Sequence, residues 1–204
     1  MKTLVIDTSN RYLVVGAFLD GQKGVIVQSD GGQKQSEYAI PTISKVCEQV
    51  HVELLDFDEI VVTCGPGSYT GSRVGLTIAK TLKTVYPSIS CKMVSSLQAY
   101  AGVEGKKIAI LDARSKKMYV GIYNQGKLVE DEKLVEVSEF PNIRALYSEY
   151  EVVGQTSLIG LEEQEVDLAS NIYEISKQIN AVSSVHELLP RYIKEVEAKK
   201  ICER

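Results

Sequence analysis

The sequence predicts an α/β protein built from two repeated halves, and three observations indicate this fold class. Short β-branched apolar runs separated by turn residues open the chain, as at Leu4–Ile6 and Leu13–Leu19. Stretches with apolar residues at helical spacing follow these runs. The pattern Leu-Val-Ile-Asp at residues 4–7 then recurs as Ala-Ile-Leu-Asp at residues 109–112. Strands and helices are therefore expected twice along the chain.

The repeat also includes two glycines in each half. A separation of 105 residues links Asp7 with Asp112, Gly16 with Gly121, and Gly21 with Gly126. The sequence therefore predicts the same order in each half: a strand ending in an aspartate, a turn, a strand carrying a glycine, and a second turn closing on a glycine. An unrelated tandem of two α/β units is the alternative. The repeat divides the chain into a first half, residues 1–104, and a smaller second half, residues 105–204.

The remaining elements follow from periodicity and capping residues. A helix is expected from Ser36, as N-cap, to Val50. In the first half there follow a strand at residues 60–64, a glycine-rich loop, a helix with Val74, Ile78 and Leu82 on one face, a strand at 91–94 and a helix at 96–101. In the second half, the three strands are followed by a helix at residues 138–149, a strand at 152–153 and a helical stretch at 166–179.

The glycine-rich segment at residues 65–75 first suggests a phosphate-binding loop, but its details differ from known ones. Gly71 is followed by Ser72 and Arg73, so the lysine of a P-loop is missing, and the glycine spacing does not match the dinucleotide fingerprint. Gly71, Gly75 and Ala79 instead form a stripe of small residues four apart. This stripe predicts a close helix–helix interface with a partner, so that Gly75→Leu would block partner binding and leave the fold intact; packing on the chain's own helix at residues 36–50 is the alternative.

Composition excludes several functional classes. A net charge of −4 and a pI of about 5.4 disfavour independent nucleic-acid binding. The apolar runs are too short for a transmembrane helix, and the first residues lack the pattern of a signal peptide, so a cytoplasmic protein without membrane contact is expected. The cysteines are expected to be reduced thiols and, with only His51 and His186 besides, a zinc site is not expected. They are Cys47, Cys64, Cys91 and Cys202.

The duplicated strand-and-helix halves resemble the actin-like and Hsp70-like fold, in which the first turn of each half faces a phosphate-binding cleft. At a finer level, the segment Gly-Pro-Gly-Ser-Tyr-Thr-Gly-Ser-Arg-Val-Gly at residues 65–75 resembles the signature of the TsaB (YeaZ) family. Further TsaB-like landmarks stand in the expected order at residues 94–97, 111–114 and 190–193. The resemblance therefore covers nearly the whole chain.

This resemblance implies a non-catalytic subunit of the bacterial system that makes threonylcarbamoyladenosine in tRNA. It implies pairing with the catalytic paralogue TsaD through first-half helices, recruitment of the ATPase TsaE near that junction, and a homodimer when isolated. Contact with tRNA is expected only through the complex. No cofactor is expected on this chain alone, whereas ATP or ADP and a metal could bind the assembled complex. Two residues depart from the family pattern, Gln35 before Ser36 and Lys194 after Ile193.

Two sets of site residues follow from this interpretation. The expected partner interface comprises Ser36, Glu37, Ile40 and Ile43 on the first helix, and Ser68, Tyr69, Thr70, Gly71, Arg73, Gly75 and Ala79 on and before the second. The vestigial cleft comprises Asp7, Thr8, Ser9 and Asp112.

Two enzymatic alternatives remain open from the sequence. In an ATP-dependent small-molecule kinase, Asp7 and Asp112 would face each other across the cleft between the halves, hold magnesium and activate a nucleophile. In a glycopeptidase-like hydrolase, Cys64 would be the nucleophile and a histidine its base. The glycine that usually accompanies the kinase phosphate turn is missing from Asp7-Thr8-Ser9, and Cys64 is expected to be a buried strand residue.

Overall fold

A computed structural model of the chain describes residues 1–30 and 34–193. Lys194 and Cys202 therefore lie outside the described residues. The strands are β1 (Lys2–Asp7), β2 (Tyr12–Leu19), β3 (Gln22–Asp30), β4 (Glu59–Thr63), β5 (Ser90–Val94), β6 (Lys106–Asp112), β7 (Lys117–Asn124), β8 (Lys127–Glu136) and β9 (Glu151–Gly154). The helices are α1 (Gln35–Val50), α2 (Tyr69–Val85), α3 (Ser96–Ala101), α4 (Phe140–Leu146) and α5 (Leu168–Ser176).

Two mixed sheets carry the predicted repeat. The first has the order β3-β2-β1-β4-β5 and the second the order β8-β7-β6-β9. In each sheet an antiparallel three-strand meander is extended by a parallel strand, β4 beside β1 and β9 beside β6. The α/β class and the duplicated actin-like arrangement are confirmed, and the second half is the smaller one because it lacks the counterpart of β5.

The hairpins explain why the glycines recur at equal spacing. Asp20 and Gly21 both have positive φ, at 48° and 83°, and Gln125 and Gly126 repeat this with 51° and 71°. Two consecutive residues with positive φ match the right-handed twist of the flanking strands, and glycine adopts that conformation without strain.

The last helix of each half packs against the other half. α3 lies against β6, β7 and β9 of the second sheet, whereas α5 lies against the strands of the first sheet. Their side chains meet in one apolar core that also contains Val5, Phe18 and Leu111. Phe18 and Tyr173 stack there with ring centroids 4.0 Å apart. The two halves are thus joined by a shared core and not by a linker.

Three predicted helices have bounds other than those expected, and the stretch expected at residues 166–179 is the shorter helix α5 (Leu168–Ser176). α1 begins at Gln35, so Ser36 lies inside the helix, and Lys34 takes the N-cap position without a side-chain cap. The helix expected to reach residue 149 ends at Leu146. It ends early because the guanidinium of Arg144 donates hydrogen bonds to the carbonyls of Tyr147, Ser148 and Tyr150, which turns the following chain back toward the helix. No described helix combines the length and apolarity needed to cross a membrane.

Candidate functional site

The first turn of the first half holds its aspartate in a structural role. Asp7 is buried, and one of its oxygens accepts hydrogen bonds from Ser9 N at 2.7 Å, Ser9 Oγ at 2.6 Å and Thr63 Oγ1 at 2.6 Å. Burial raises the pKa of Asp7, and the hydrogen bonds from Ser9 and Thr63 oppose that rise. The carboxyl therefore ties the turn to the neighbouring strand β4.

The same turn is covered by the loop that leads into α2. A Cβ added to Gly67 would stand 2.2 Å from the carbonyl oxygen of Ser9, and one added to Gly71 would stand 2.1 Å from that of Thr8. Ser68 N donates to Ser9 O at 2.7 Å, and Thr8 Oγ1 donates to Gly71 O at 2.7 Å. The space in which a phosphate would approach this turn is thus occupied by the chain itself, so the residues present do not fit a nucleotide phosphate here.

Asp112, the repeat counterpart of Asp7, lies in a different setting. It is half-buried, lines the cleft between the two halves, and pairs with the guanidinium of Arg114 at 3.1 Å. The vestigial cleft predicted from Asp7, Thr8, Ser9 and Asp112 therefore needs correction, because only Asp112 lines it. The first three are buried beneath the entry to α2, so the two aspartates do not form a facing pair.

The hydrolase alternative receives no support from Cys64. Burial raises the pKa of its thiol to about 11, which keeps it protonated at neutral pH. His51 is an exposed residue at the end of α1, and His186 is exposed in a short helical turn near the C-terminus. Within the described residues, no three His, Cys, Asp or Glu side chains converge as a metal site would require.

Four of the predicted interface residues belong to the interior. The stripe Gly71, Gly75 and Ala79 is buried, and a Cβ on Gly75 would stand 2.9 Å from Val62 Cγ2 of β4. Ile43 is buried in the same core. The stripe faces the chain's own sheet because Gly75 N donates to Thr8 Oγ1, which draws the helix backbone onto the end of β1. The prediction that these residues face a partner was wrong: Gly71 and Gly75 lie against Thr8 and Val62, whereas Ala79 shares a buried core with Ile43 of α1.

The other predicted interface residues are all exposed. They are Ser36, Glu37 and Ile40 of α1, and Ser68, Tyr69, Thr70 and Arg73 of α2 and its N-cap. We refer to these seven residues as the α1–α2 surface. The two helices pack side by side, and Ser36, Ser68, Tyr69 and Thr70 line the cleft between the halves, which has a volume of about 810 Å³. The structure thus brings residues from two distant parts of the sequence to one face.

Two exposed aromatic residues were missed in the sequence. Tyr38 of α1 is 48% exposed. Tyr192, also 48% exposed, stacks with Tyr69 at a centroid distance of 5.6 Å. The landmark Pro-Arg-Tyr-Ile at residues 190–193 drew attention to Tyr192, but periodicity could not place it next to α2.

Replacing Asp7 with alanine is expected to destabilise the protein without affecting nucleotide binding. Ser9 N and Thr63 Oγ1 would lose their acceptor, and a buried donor left unpaired costs about 1–3 kcal/mol. Urea unfolding measures this loss, and Asp7→Asn, which keeps an acceptor oxygen, is the matched control with a smaller loss. Calorimetry with ATP and magnesium is the second measurement; tight binding by the wild type that disappears in Asp7→Ala would instead support a kinase.

Comparisons with known proteins agree on one family of relatives. A family model described as "TsaD: tRNA N6-adenosine threonylcarbamoyltransferase" matches residues 21–204. The tRNA threonylcarbamoyladenosine biosynthesis protein TsaB of Bacillus subtilis is 31% identical over 225 residues, covering 98% of this chain and 96% of that protein.

Two solved structures from Pseudomonas aeruginosa share the fold. An uncharacterized protein with similarity to the peptidase YeaZ has a TM-score of 0.79 and 20% identity, and the match covers 95% of this chain and 99% of the other. YeaZ itself has a TM-score of 0.74 and 17% identity, with coverage of 94% and 99%. The arrangement of strands and helices described above is therefore that of the YeaZ structures.

Proposed function

Because the chain belongs to the TsaB (YeaZ) family of tRNA threonylcarbamoyladenosine biosynthesis proteins, we propose that it is a non-catalytic subunit that docks the transferase TsaD and supports its activity. In this proposal TsaD catalyses the transfer, and this chain provides the surface to which TsaD binds. The complex of the two proteins recruits TsaE, and tRNA is contacted only through the complex.

One observation carries the proposal, namely that seven predicted interface residues remain exposed on two adjacent helices. Ile40 is 53% exposed and Tyr69 is 51% exposed. Half-exposed apolar and aromatic side chains beside an arginine have the composition of a protein interface core, where tyrosine and arginine are enriched. The α1–α2 surface is therefore suited to a protein partner.

The interior of the first turn supports the non-catalytic part of the proposal. Asp7 is engaged by Ser9 and Thr63, and the loop before α2 covers the turn that would hold a phosphate. This chain by itself would thus bind no nucleotide. ATP or ADP, with its metal, would bind only where the partner completes a site.

Self-association follows from the same surface. In the absence of TsaD, the exposed side chains of α1 and α2 can be covered by a second copy of the chain, because a two-fold dimer brings the same patch of each copy together. We therefore propose that the isolated protein is a homodimer and that TsaD competes with the second copy.

Placing a charge on this surface is expected to weaken docking strongly. In Ile40→Asp the new carboxylate would be desolvated at the interface, and affinity for purified TsaD should fall about 30-fold or more, as at an interface hot spot. Titration calorimetry measures the affinity, and light scattering shows whether the homodimer is lost as well. The melting temperature should hardly change, because Ile40 is exposed.

The matched control is Leu146→Asp, since Leu146 is an apolar side chain that is 80% exposed at the end of α4 in the second half. It should bind TsaD like the wild type. Equal affinity of Ile40→Asp, Leu146→Asp and the wild type would contradict docking through the α1–α2 surface.

A further inference from the structure

Arg73 contacts two tyrosines on the surface of the protein. Its guanidinium carbon lies 3.7 Å from the centroid of the Tyr69 ring and 5.8 Å from that of Tyr192. Its Nε donates a hydrogen bond to the hydroxyl of Tyr192 at 2.8 Å. The two rings are themselves stacked, with an interplanar angle of 25°. We call Tyr69, Arg73 and Tyr192 the arginine cluster.

The position of Tyr192 is fixed by the residue before it. Arg191 N donates to Cys64 O at 2.7 Å, and its carbonyl oxygen lies against Gly65, where an added Cβ would stand 3.0 Å away. The Arg191 guanidinium pairs with Glu132 of β8 at 2.9 Å. The C-terminal segment is thus bound to both halves just before it reaches α2.

This geometry leaves the terminal nitrogens of Arg73 available. With Nε engaged by the Tyr192 hydroxyl, the two terminal nitrogens of the guanidinium are left to donate, and their paired N–H groups suit a carboxylate. In the described part of the chain, Arg73 forms no ion pair, although thirteen other pairs are present there. Stacking also restricts the side chain before binding, which lowers the entropy cost of a contact.

We propose that the arginine cluster is a receptor for an aspartate or glutamate side chain of the docking protein. This inference rests on the proposed function and extends the docking surface to Tyr192, a residue of the C-terminal segment. Arg73 would bind the carboxylate, Tyr69 would support its face, and Tyr192 would orient it. Arg191 acts as a positioning residue for Tyr192.

The observations favour a protein carboxylate over an RNA phosphate. Bases bind proteins by stacking on free aromatic faces, and contacts with Arg73 and Tyr192 already cover part of the Tyr69 ring. The cluster holds one cation, and the whole chain carries a net charge of −4. A single arginine in an acidic protein lacks the additional phosphate contacts that RNA binding requires.

The test measures the affinity of purified TsaD for the full chain and its variants. Arg73→Gln, which removes the cation, is expected to weaken binding about 30-fold or more. Tyr192→Phe, which keeps the ring and removes the hydrogen bond to Arg73, is expected to weaken it about 3–10-fold. Affinity should fall less steeply with NaCl in Arg73→Gln than in the wild type, because a charge pair is lost. Thermal melting of each variant shows that folding is preserved.

Lys127→Gln is the matched control, because it removes an exposed cation from the second half and should bind like the wild type. Strong loss in Ile40→Asp together with unchanged affinity in Arg73→Gln and Tyr192→Phe would overturn this inference alone. Failure of the wild type to bind TsaD would overturn the proposed function and the inference with it. Binding of tRNA by the isolated chain that disappears in Arg73→Gln would overturn the carboxylate receptor in favour of a nucleic-acid site.

Discussion

Gly71→Ala is expected to reduce the free energy of unfolding by about 3 kcal/mol or more, the upper range for overpacking a dense interior. The added methyl carbon would stand 2.1 Å from the carbonyl oxygen of Thr8, and a backbone atom cannot turn aside as a flexible side chain can. Thr8 is itself bound to α2 through Gly71 O and Gly75 N. Chemical denaturation measures the loss.

Thr77→Ala is the control for this experiment, because Thr77 is exposed on the same helix and the change should alter stability by less than about 0.5 kcal/mol. Gly75→Leu should behave like Gly71→Ala, since a side chain there would push α2 off Val62. If both glycine variants unfolded close to the wild type, the stripe would not be packed against the protein interior, and the interpretation from sequence alone would stand.

The direction in which the glycine stripe faces could not be predicted from the sequence. Helical periodicity gives the angle between the stripe of Gly71, Gly75 and Ala79 and the apolar face of Val74, Ile78 and Leu82, but both faces are apolar. Which of them meets the sheet depends on a distant turn, where Thr8 forms hydrogen bonds to the helix backbone. That contact joins residues more than sixty positions apart and leaves no local pattern in the sequence.

Local chemistry, by contrast, predicted most of the fold. The hairpins at Asp20-Gly21 and Gln125-Gly126 follow from turn residues, and the helix α3 (Ser96–Ala101) was predicted with the bounds it has. The exposed interface residues were predicted from the family resemblance more than from helical periodicity. Ile40 and Ile43 illustrate this. They are three residues apart on α1, yet Ile43 is buried and Ile40 is exposed.

The burial of Glu132 is a second feature that the sequence could not predict. Glu132 lies in the acidic run Glu130-Asp131-Glu132, a pattern typical of a solvent-exposed strand. Its side chain is only 1% exposed and is the one fully buried side chain of β8. It accepts hydrogen bonds from the hydroxyls of Tyr123 and Ser95, and pairs with Arg191. Burial, together with Glu132, raises the pKa of Tyr123 far above its ordinary range, so the phenol stays a donor.

Glu132→Ala is therefore expected to cost about 3 kcal/mol of unfolding free energy, because two hydroxyls would lose their acceptor and each buried donor left unpaired costs about 1–3 kcal/mol. Denaturant unfolding measures this cost. Asp131→Ala removes a neighbouring exposed carboxylate and should be nearly neutral. Glu132→Gln, which keeps one acceptor oxygen, should lose less stability than Glu132→Ala.

The same carboxylate should influence docking from a distance. Without Glu132, Arg191 loses its ion pair, and Tyr192 loses part of the support that orients it toward Arg73. Affinity for TsaD should then fall in Glu132→Gln even under conditions in which that variant is fully folded. Unchanged affinity in a folded Glu132→Gln would mean that the backbone hydrogen bond from Arg191 to Cys64 is enough to position the C-terminal segment. Glu132 would then contribute to stability and not to docking.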